Sequence, residues 1–385
     1  MKLVIKNVNI VTIDKIIYGS CVIDNGIITE ISCLDNFGDI VIDGNGQYLL
    51  PGFIDLHCHG GKNFDFMDAS VSEMKSIADF HLQHGTTTMF ATTLAGSEEE
   101  TIQSLDTFSQ YLSSNPDGTI VGVHLEGPWL NPLQCGAQDV DYMRVPNSKE
   151  LIALKSKYPF IMRVSVAPEL DNGIDFGKTG EKLGILMSIA HTDADFNTVL
   201  KAFNNGYKML THFYSGMKGV TRINSYRIAG AVEAGYYLDD MFVELIADGK
   251  HLPLELLNLI YKLKGADRIC LITDAVRACG LPDGSISIIG SKKNGKSIII
   301  EDGVAKLPDR QSFAGSVATF DRLFKTMASV IGNDFISLSK MCSATPAKII
   351  GLNDRGEISI GKRADLLIID ENLDIIKIIK KGEII

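Results

Sequence analysis

Eight short apolar runs, alternating with stretches of helical periodicity, fill the chain between Pro51 and Leu352. They read "GFIDLH", "TTTMFATT", "TIVGVHLE", "FIMRVSVAPE", "LGILMSIAH", "KMLTH", "MFVELIAD" and "RICLITD". Short buried strands alternating with helices are βα units, and such units build parallel sheets. Eight of them predict a (β/α)8 TIM-type barrel over residues 51–352. In that architecture the chemistry gathers at the C-terminal ends of the strands.

The two ends of the chain have a different texture. Residues 1–50 carry short strands punctuated by "DNG" and "DGNG", which are hairpin signals. Residues 353–385 repeat that style in "GEISIGKRADLLIIDENLDIIKIIKKGEII". The two ends are expected to meet in one small β-sandwich domain.

Polar residues cluster where the strands stop. The first run ends in "DLHCHGG", which places His57 and His59 two apart. A strand has period two, so both side chains face the same way. The third run ends at Glu126, the fifth at His191, the sixth at His212 and the eighth at Asp274. A buried carboxylate without a partner is costly, so Glu126 needs something positive beside it. Imidazole and carboxylate together suit a divalent ion such as zinc, iron or manganese. Glu126 between an HxH pair and two further histidines fits one or two ions, which would activate water and polarise a carbonyl. Asp274 is then the candidate general base and acid.

Each residue also has a plainer reading. HxH can be a satisfied core pair, and Glu126 can pair with Arg163. The combination decides for metal. Four of the eight histidines fall at strand ends, where chance would place about one or two, since strands occupy roughly a quarter of a typical chain. His81 and His84 read as surface or helix C-cap residues. His124 shares a face with Glu126, either supporting the site or sitting in the core. His251, just beyond the seventh run, is placed for substrate contact, with helix capping as its plainer role.

Bulk properties exclude several function classes. The 385-residue chain is 45% hydrophobic, which fills a sizeable core. Its net charge of −10 and lack of a basic run argue against nucleic acid and anionic membranes as partners. Seven scattered cysteines form no CxxC framework, as expected of a reducing cytoplasm. The N-terminus lacks a long apolar signal core, and no stretch approaches a membrane span.

In order along the chain, "PGFIDLHCHGG", "HLEGPWLNPLQCGAQ", "AHTDAD", "THFYSGM", "ELIADGKHL", "LITDAVRACGLPDG", "FAGSVATFDR" and "GKRADLLIID" resemble the motifs of the N-acetylglucosamine-6-phosphate deacetylases. These belong to the amidohydrolase superfamily. The resemblance spans nearly the whole chain, both β-rich ends included. It implies hydrolysis of the N-acetyl amide of an amino-sugar phosphate, releasing acetate. It implies that Glu126, His191 and His212 are the main metal ligands, and that His57 and His59 are the HxH of the two-metal members. By the same resemblance Asp274 is the acid/base and His251 contacts substrate. Ala137, Gln138 and the backbone around Phe313 line the sugar pocket. Arg227, in "SYRIAG", is the candidate phosphate contact, which a neighbouring subunit supplies in this family, implying a homodimer.

Departures from the pattern concern the sugar phosphate. Ser215-Gly216 stands where the family usually has Asn-Ala, a pair that touches the phosphorylated sugar. The following loop, "KGVTRINSYRIAG", keeps only the Arg and the Gly three residues later. Lys218 and Arg222 read as solvated charges. Three alternatives remain beside the glucosamine substrate: the N-acetylgalactosamine 6-phosphate epimer, another amidohydrolase substrate, and an inactive sugar-binding sensor. Members that bridge metals with a strand-four carboxylated lysine are disfavoured, because "PFIMRVSVAPE" has no lysine. The sensor is disfavoured because none of the six ligand and acid/base residues is missing.

Overall fold

A computed structural model of the protein describes residues 1–33, 37–293 and 295–385. All eight apolar runs form strands of one parallel sheet. Counting only these, β1 is Phe53–Cys58, β2 Thr86–Thr93, β3 Ile120–Glu126 and β4 Ile161–Val166. β5 is Leu186–Ile189, β6 Tyr207–Leu210, β7 Phe242–Leu245 and β8 Ile269–Leu271. Each strand lies beside its neighbours in sequence. A parallel bridge from Cys58 to Ala275 joins the two edges and closes the barrel. The Asp274 amide donates to the His57 carbonyl at 2.9 Å across that seam.

Helices follow the strands in turn: α1 Val71–Gln83, α2 Glu98–Ser114, α3 Ser148–Lys157, α4 Gly173–Lys182, α5 Phe196–Phe203, α6 Ala231–Tyr237, α7 Leu254–Lys264 and α8 Phe320–Ile331. The starts of α1 and α2 are written in the sequence as capping boxes, Ser70 with Glu73 and Ser97 with Glu100. The largest apolar cluster includes Leu105, Phe108, Val164, Leu257 and Phe324, all buried. Burying each such side chain contributes roughly 1.5–3 kcal/mol. Among the described residues no helix is long and apolar enough to cross a membrane.

Both ends of the chain enter one further eight-stranded sheet. Leu366–Ile369 pairs antiparallel with Tyr48–Pro51, directly ahead of β1. The sheet forks at Lys2–Val11. Its first half pairs with Ile40–Asp43 and its second with Tyr48–Pro51, and a register shift lies between Ile5 and Val8. A bulge of that kind raises local twist and redirects a strand. A separate apolar cluster, including Leu3, Ile10, Ile23 and Leu366, fills this unit.

One element was not expected. Between β8 and α8 the chain builds a three-stranded antiparallel sheet from Ile286–Ile289, Lys296–Glu301 and Val304–Lys306. It stands at the C-terminal mouth of the barrel and brings Ile289 to the cleft described next.

Candidate active site

The strand ends deliver their polar residues to one point. Glu126 closes β3, and its side chain is 2% exposed. His191, His212 and Asp274 lie just beyond β5, β6 and β8, with φ of 43°, 30° and 47°. The left-handed region is unfavourable for such residues and costs of order 1–3 kcal/mol each. The surrounding structure holds these three side chains turned into the barrel mouth despite that cost.

The distances define two groups that share one carboxylate. Oε1 of Glu126 lies 2.9 Å from His212 Nε2 and 3.4 Å from His191 Nε2. The HxH pair approaches from the other side, with His57 Nε2 3.6 Å from Oε1 and His59 Nε2 3.3 Å from Oε2. His57, His59 and Glu126 form one set of candidate ligands, and Glu126, His191 and His212 the other. Oδ1 of Asp274 stands 3.3 Å from His57 Nε2 and 3.1 Å from His59 Nε2.

Hydrogen bonds behind the rings fix what they present. His191 Nδ1 donates to the Gln134 carbonyl at 2.7 Å, and His212 Nδ1 to the Ser215 carbonyl at 3.1 Å. A carbonyl only accepts, so each Nδ1 carries a proton, and Nε2 is the ring nitrogen turned inward towards Glu126. Two imidazole nitrogens and a carboxylate oxygen then converge on one point. Such a donor set fits a divalent cation.

The electrostatics carry the same demand. Burial alone would raise the Glu126 carboxyl, but His57, His191 and His212 hold it well below the usual carboxylate range. Burial opposes charge on His57 and His59, yet Glu126 and Asp274 raise them to about 10 and about 9. Without a metal, protons must supply the positive charge that the two carboxylates require. Burial would also raise Asp274, and the two histidines beside it bring it below its ordinary value instead.

A cleft of about 210 Å³ opens above this cluster. Ala137, Gln138, Ser215, Gly216, His251 and Phe313 all line it, together with His59, Glu126, His191, His212 and Asp274. His251 Nδ1 is held 2.9 Å from Asp248 Oδ2, and its ring packs on Phe313 with centroids 4.8 Å apart. Gln138 is more than lining. Its Oε1 accepts from the Ala95 amide and its Nε2 donates to Glu126 Oε2, both at 2.7 Å. Gly216 has φ +58°, and a Cβ there would stand 3.0 Å from His191 Nδ1 and 3.3 Å from the Gln134 oxygen. A side chain there fits only if His191 and Gln134 give way by a few tenths of an ångström.

Arg227 is not brought into the cleft of its own chain. It lies exposed on the hairpin Thr221–Ile223 and Tyr226–Ile228, opposite Arg222. Lys218 pairs with Asp193 at 2.9 Å. Among the described residues no lysine or arginine lines the cleft.

Three expectations need correction or completion. Arg163 does not pair with Glu126. It pairs with Glu244 inside the barrel, and both side chains are fully buried. Glu244 was hidden in the run "MFVELIAD", where a charge among apolar residues was the available signal. Burial would raise the Glu244 carboxyl, but Arg163 and His57 bring it down to about 2. His81 is neither on the surface nor a cap. It is buried, with Nε2 2.9 Å from the Gly60 carbonyl and 3.3 Å from Cys58 Sγ. Its neighbour His84 does cap α1 and meets Asp321 Oδ2 at 3.0 Å. His124 belongs to the core, bonded to Ser165 Oγ at 2.7 Å, and burial holds it well below its ordinary value.

The chain is similar to known proteins over most of its length. Residues 48–385 match the model of the amidohydrolase family. The chain is 32% identical over 354 residues to an N-acetylglucosamine-6-phosphate deacetylase of Lysinibacillus sphaericus, covering 89% of this chain and 87% of that one. It is 27% identical to an N-acetylgalactosamine-6-phosphate deacetylase of Escherichia coli O157:H7, covering 89% of each. The crystal structure of the Thermotoga maritima N-acetylglucosamine-6-phosphate deacetylase superposes with a TM-score of 0.89 at 32% identity, over 99% of both chains. The chain is a hydrolase of the amidohydrolase family.

Proposed function

We propose that the protein removes the N-acetyl group of an amino-sugar phosphate. The favoured reaction converts N-acetylglucosamine 6-phosphate and water to glucosamine 6-phosphate and acetate. The observation that carries this reading is the convergence of Glu126, His191, His212 and Asp274 at the floor of one cleft, in a chain so similar to deacetylases of that substrate.

Glu126, His191 and His212 would hold one divalent cation, with zinc, iron and manganese all compatible; His57 and His59 would hold a second against Glu126. When bound, the cation polarises the acetamide carbonyl and acidifies the attacking water. Asp274 takes a proton from that water as its oxygen bonds to the carbonyl carbon. The C–N bond then breaks, and Asp274 returns the proton to the leaving amine. His251, seated by Asp248, contacts the sugar over Phe313. Ala137, Gln138, Ser215 and Gly216 form the adjoining wall.

The phosphate needs a cation that this cleft lacks. We assign that role to Arg227 of the partner subunit in a homodimer. The same hairpin exposes Val220, Ile223 and Tyr226, an apolar surface suited to burial between copies. Seven free cysteines suit a reducing compartment such as the cytoplasm.

Acetate release from N-acetylglucosamine 6-phosphate, its galactosamine epimer and unphosphorylated N-acetylglucosamine tests the reading. Preference for the first supports it. Preference for the epimer favours the second reading, which the Escherichia coli relative motivates. No release from any of the three would overturn both.

A further inference from the structure

Glu244 sits within β7 among apolar neighbours and is 0% exposed. Both of its oxygens are engaged. Oε1 faces Arg163 Nη1. Oε2 lies 3.3 Å from His57 Nδ1 and accepts the main-chain N–H of His212 at 3.2 Å. Arg163 is itself immobilised by Ser188 Oγ at 3.0 Å, the Leu56 carbonyl at 3.2 Å and Thr211 Oγ1 at 3.1 Å. The carboxylate cannot turn without breaking a network that crosses the barrel. It touches a side chain of one candidate metal group and the backbone of the other.

This arrangement has a chemical consequence for His57. A carboxylate oxygen accepts, so Nδ1 carries a ring proton, and Nε2 is the atom left to ligate a cation once one displaces its own proton. That Nε2 points at His59 Nε2, Asp274 Oδ1 and Glu126 Oε1, at 3.1, 3.3 and 3.6 Å. Among the described residues no group stands within hydrogen-bond distance of His59 Nδ1. Of the two HxH rings, His57 is the one with a carboxylate bonded behind it. A buried ion pair is not in itself a source of stability. What this one does is hold an imidazole in one orientation and one tautomer.

We infer that Glu244, seated by Arg163, is the positioning residue that commits His57 to metal binding and so decides whether the His57–His59 group holds a second ion. The inference rests on the two-metal reading above. Loss of the partner that orients a ligating imidazole weakens metal binding by roughly 10- to 100-fold.

The test is a zinc titration of metal-free protein against a chromophoric chelator, with circular dichroism and thermal melting of the same samples. Wild type is expected to take up two ions. Glu244→Gln, which keeps the shape, should bind one ion with wild-type affinity and the other roughly 10- to 100-fold more weakly. Should the unpaired Arg163 prevent that variant from folding, the double variant Arg163→Met with Glu244→Gln removes both charges, and the same selective loss is expected. Unchanged binding of both ions overturns the inference, as does equal weakening of both. A wild type that binds a single ion overturns it too. A wild type that binds no ion overturns the metal reading itself, and this inference with it.

Discussion

Gln138 holds Glu126 in place: its Nε2 donates to Glu126 Oε2 at 2.7 Å, while the Ala95 amide fixes its other end at the same distance. The donor leaves Glu126 Oε1 facing His191 and His212. Gln138→Leu removes both hydrogen bonds from a buried position. An unsatisfied buried group costs about 1–3 kcal/mol, and a metal ligand that loses its support loses roughly 10- to 100-fold in affinity. Zinc affinity by chelator competition should fall by that factor. Unchanged affinity would show that the amide only lines the cleft.

Asp274 should separate binding from chemistry. Asp274→Asn keeps the volume of the side chain but cannot accept the water proton. The variant is expected to retain metal and lose kcat by roughly 100- to 10,000-fold, with kcat/KM falling in parallel. Metal analysis and steady-state kinetics on one preparation check this. Near-wild-type turnover would remove Asp274 from the acid/base role.

Gly216→Ala asks how tightly the loop after β6 is fitted. The new Cβ would press on His191 Nδ1 and the Gln134 oxygen at 3.0 and 3.3 Å. Left-handed backbone adds about 1–2 kcal/mol for a residue with a side chain. A lower melting temperature and weaker metal binding are both expected. A variant with wild-type values of both would mean that the loop relaxes freely.

Much of this site was legible because each candidate ligand ends or follows an apolar run. A charge or histidine that ends such a run marks the barrel mouth. What lay inside the runs was harder to place. Glu244 and Arg163 satisfy each other across strands far apart in sequence, so neither revealed its partner. The three-stranded insertion was visible in principle, since "SISIIGSKKNGKSIIIEDGVAK" carries strand-like runs and turn residues, but it interrupts the expected βα alternation. His81 looked like a cap because α1 ends nearby. The tight approach of α1 to the Gly60–Gly61 turn buries it, and pattern alone does not show that approach.

The buried His81 predicts a pH effect. In the unfolded chain its imidazole titrates near ~6.5. In the folded protein burial pulls it down to about 4, against the opposing bond to the Gly60 carbonyl. Between those values the unfolded state binds the extra proton, so stability rises with pH across the window. It is lost as pH falls from about 6.5 towards 4, and the full swing is about 3 kcal/mol. His81→Gln can keep the donor to Gly60. Denaturant unfolding in the presence of chelator should show wild type losing stability relative to this variant as pH drops. Parallel curves would exclude His81 as the source.

Deacetylation at the Glu126, His191 and His212 cluster should depend on a bound metal. Its most direct test is acetate release from N-acetylglucosamine 6-phosphate by one sample, measured as purified, after chelation and after stepwise return of zinc, iron or manganese. Activity should vanish with the metal and return as the first ion per chain is restored. Full turnover by protein shown to be metal-free would rule out a metal at this cluster as the source of catalysis.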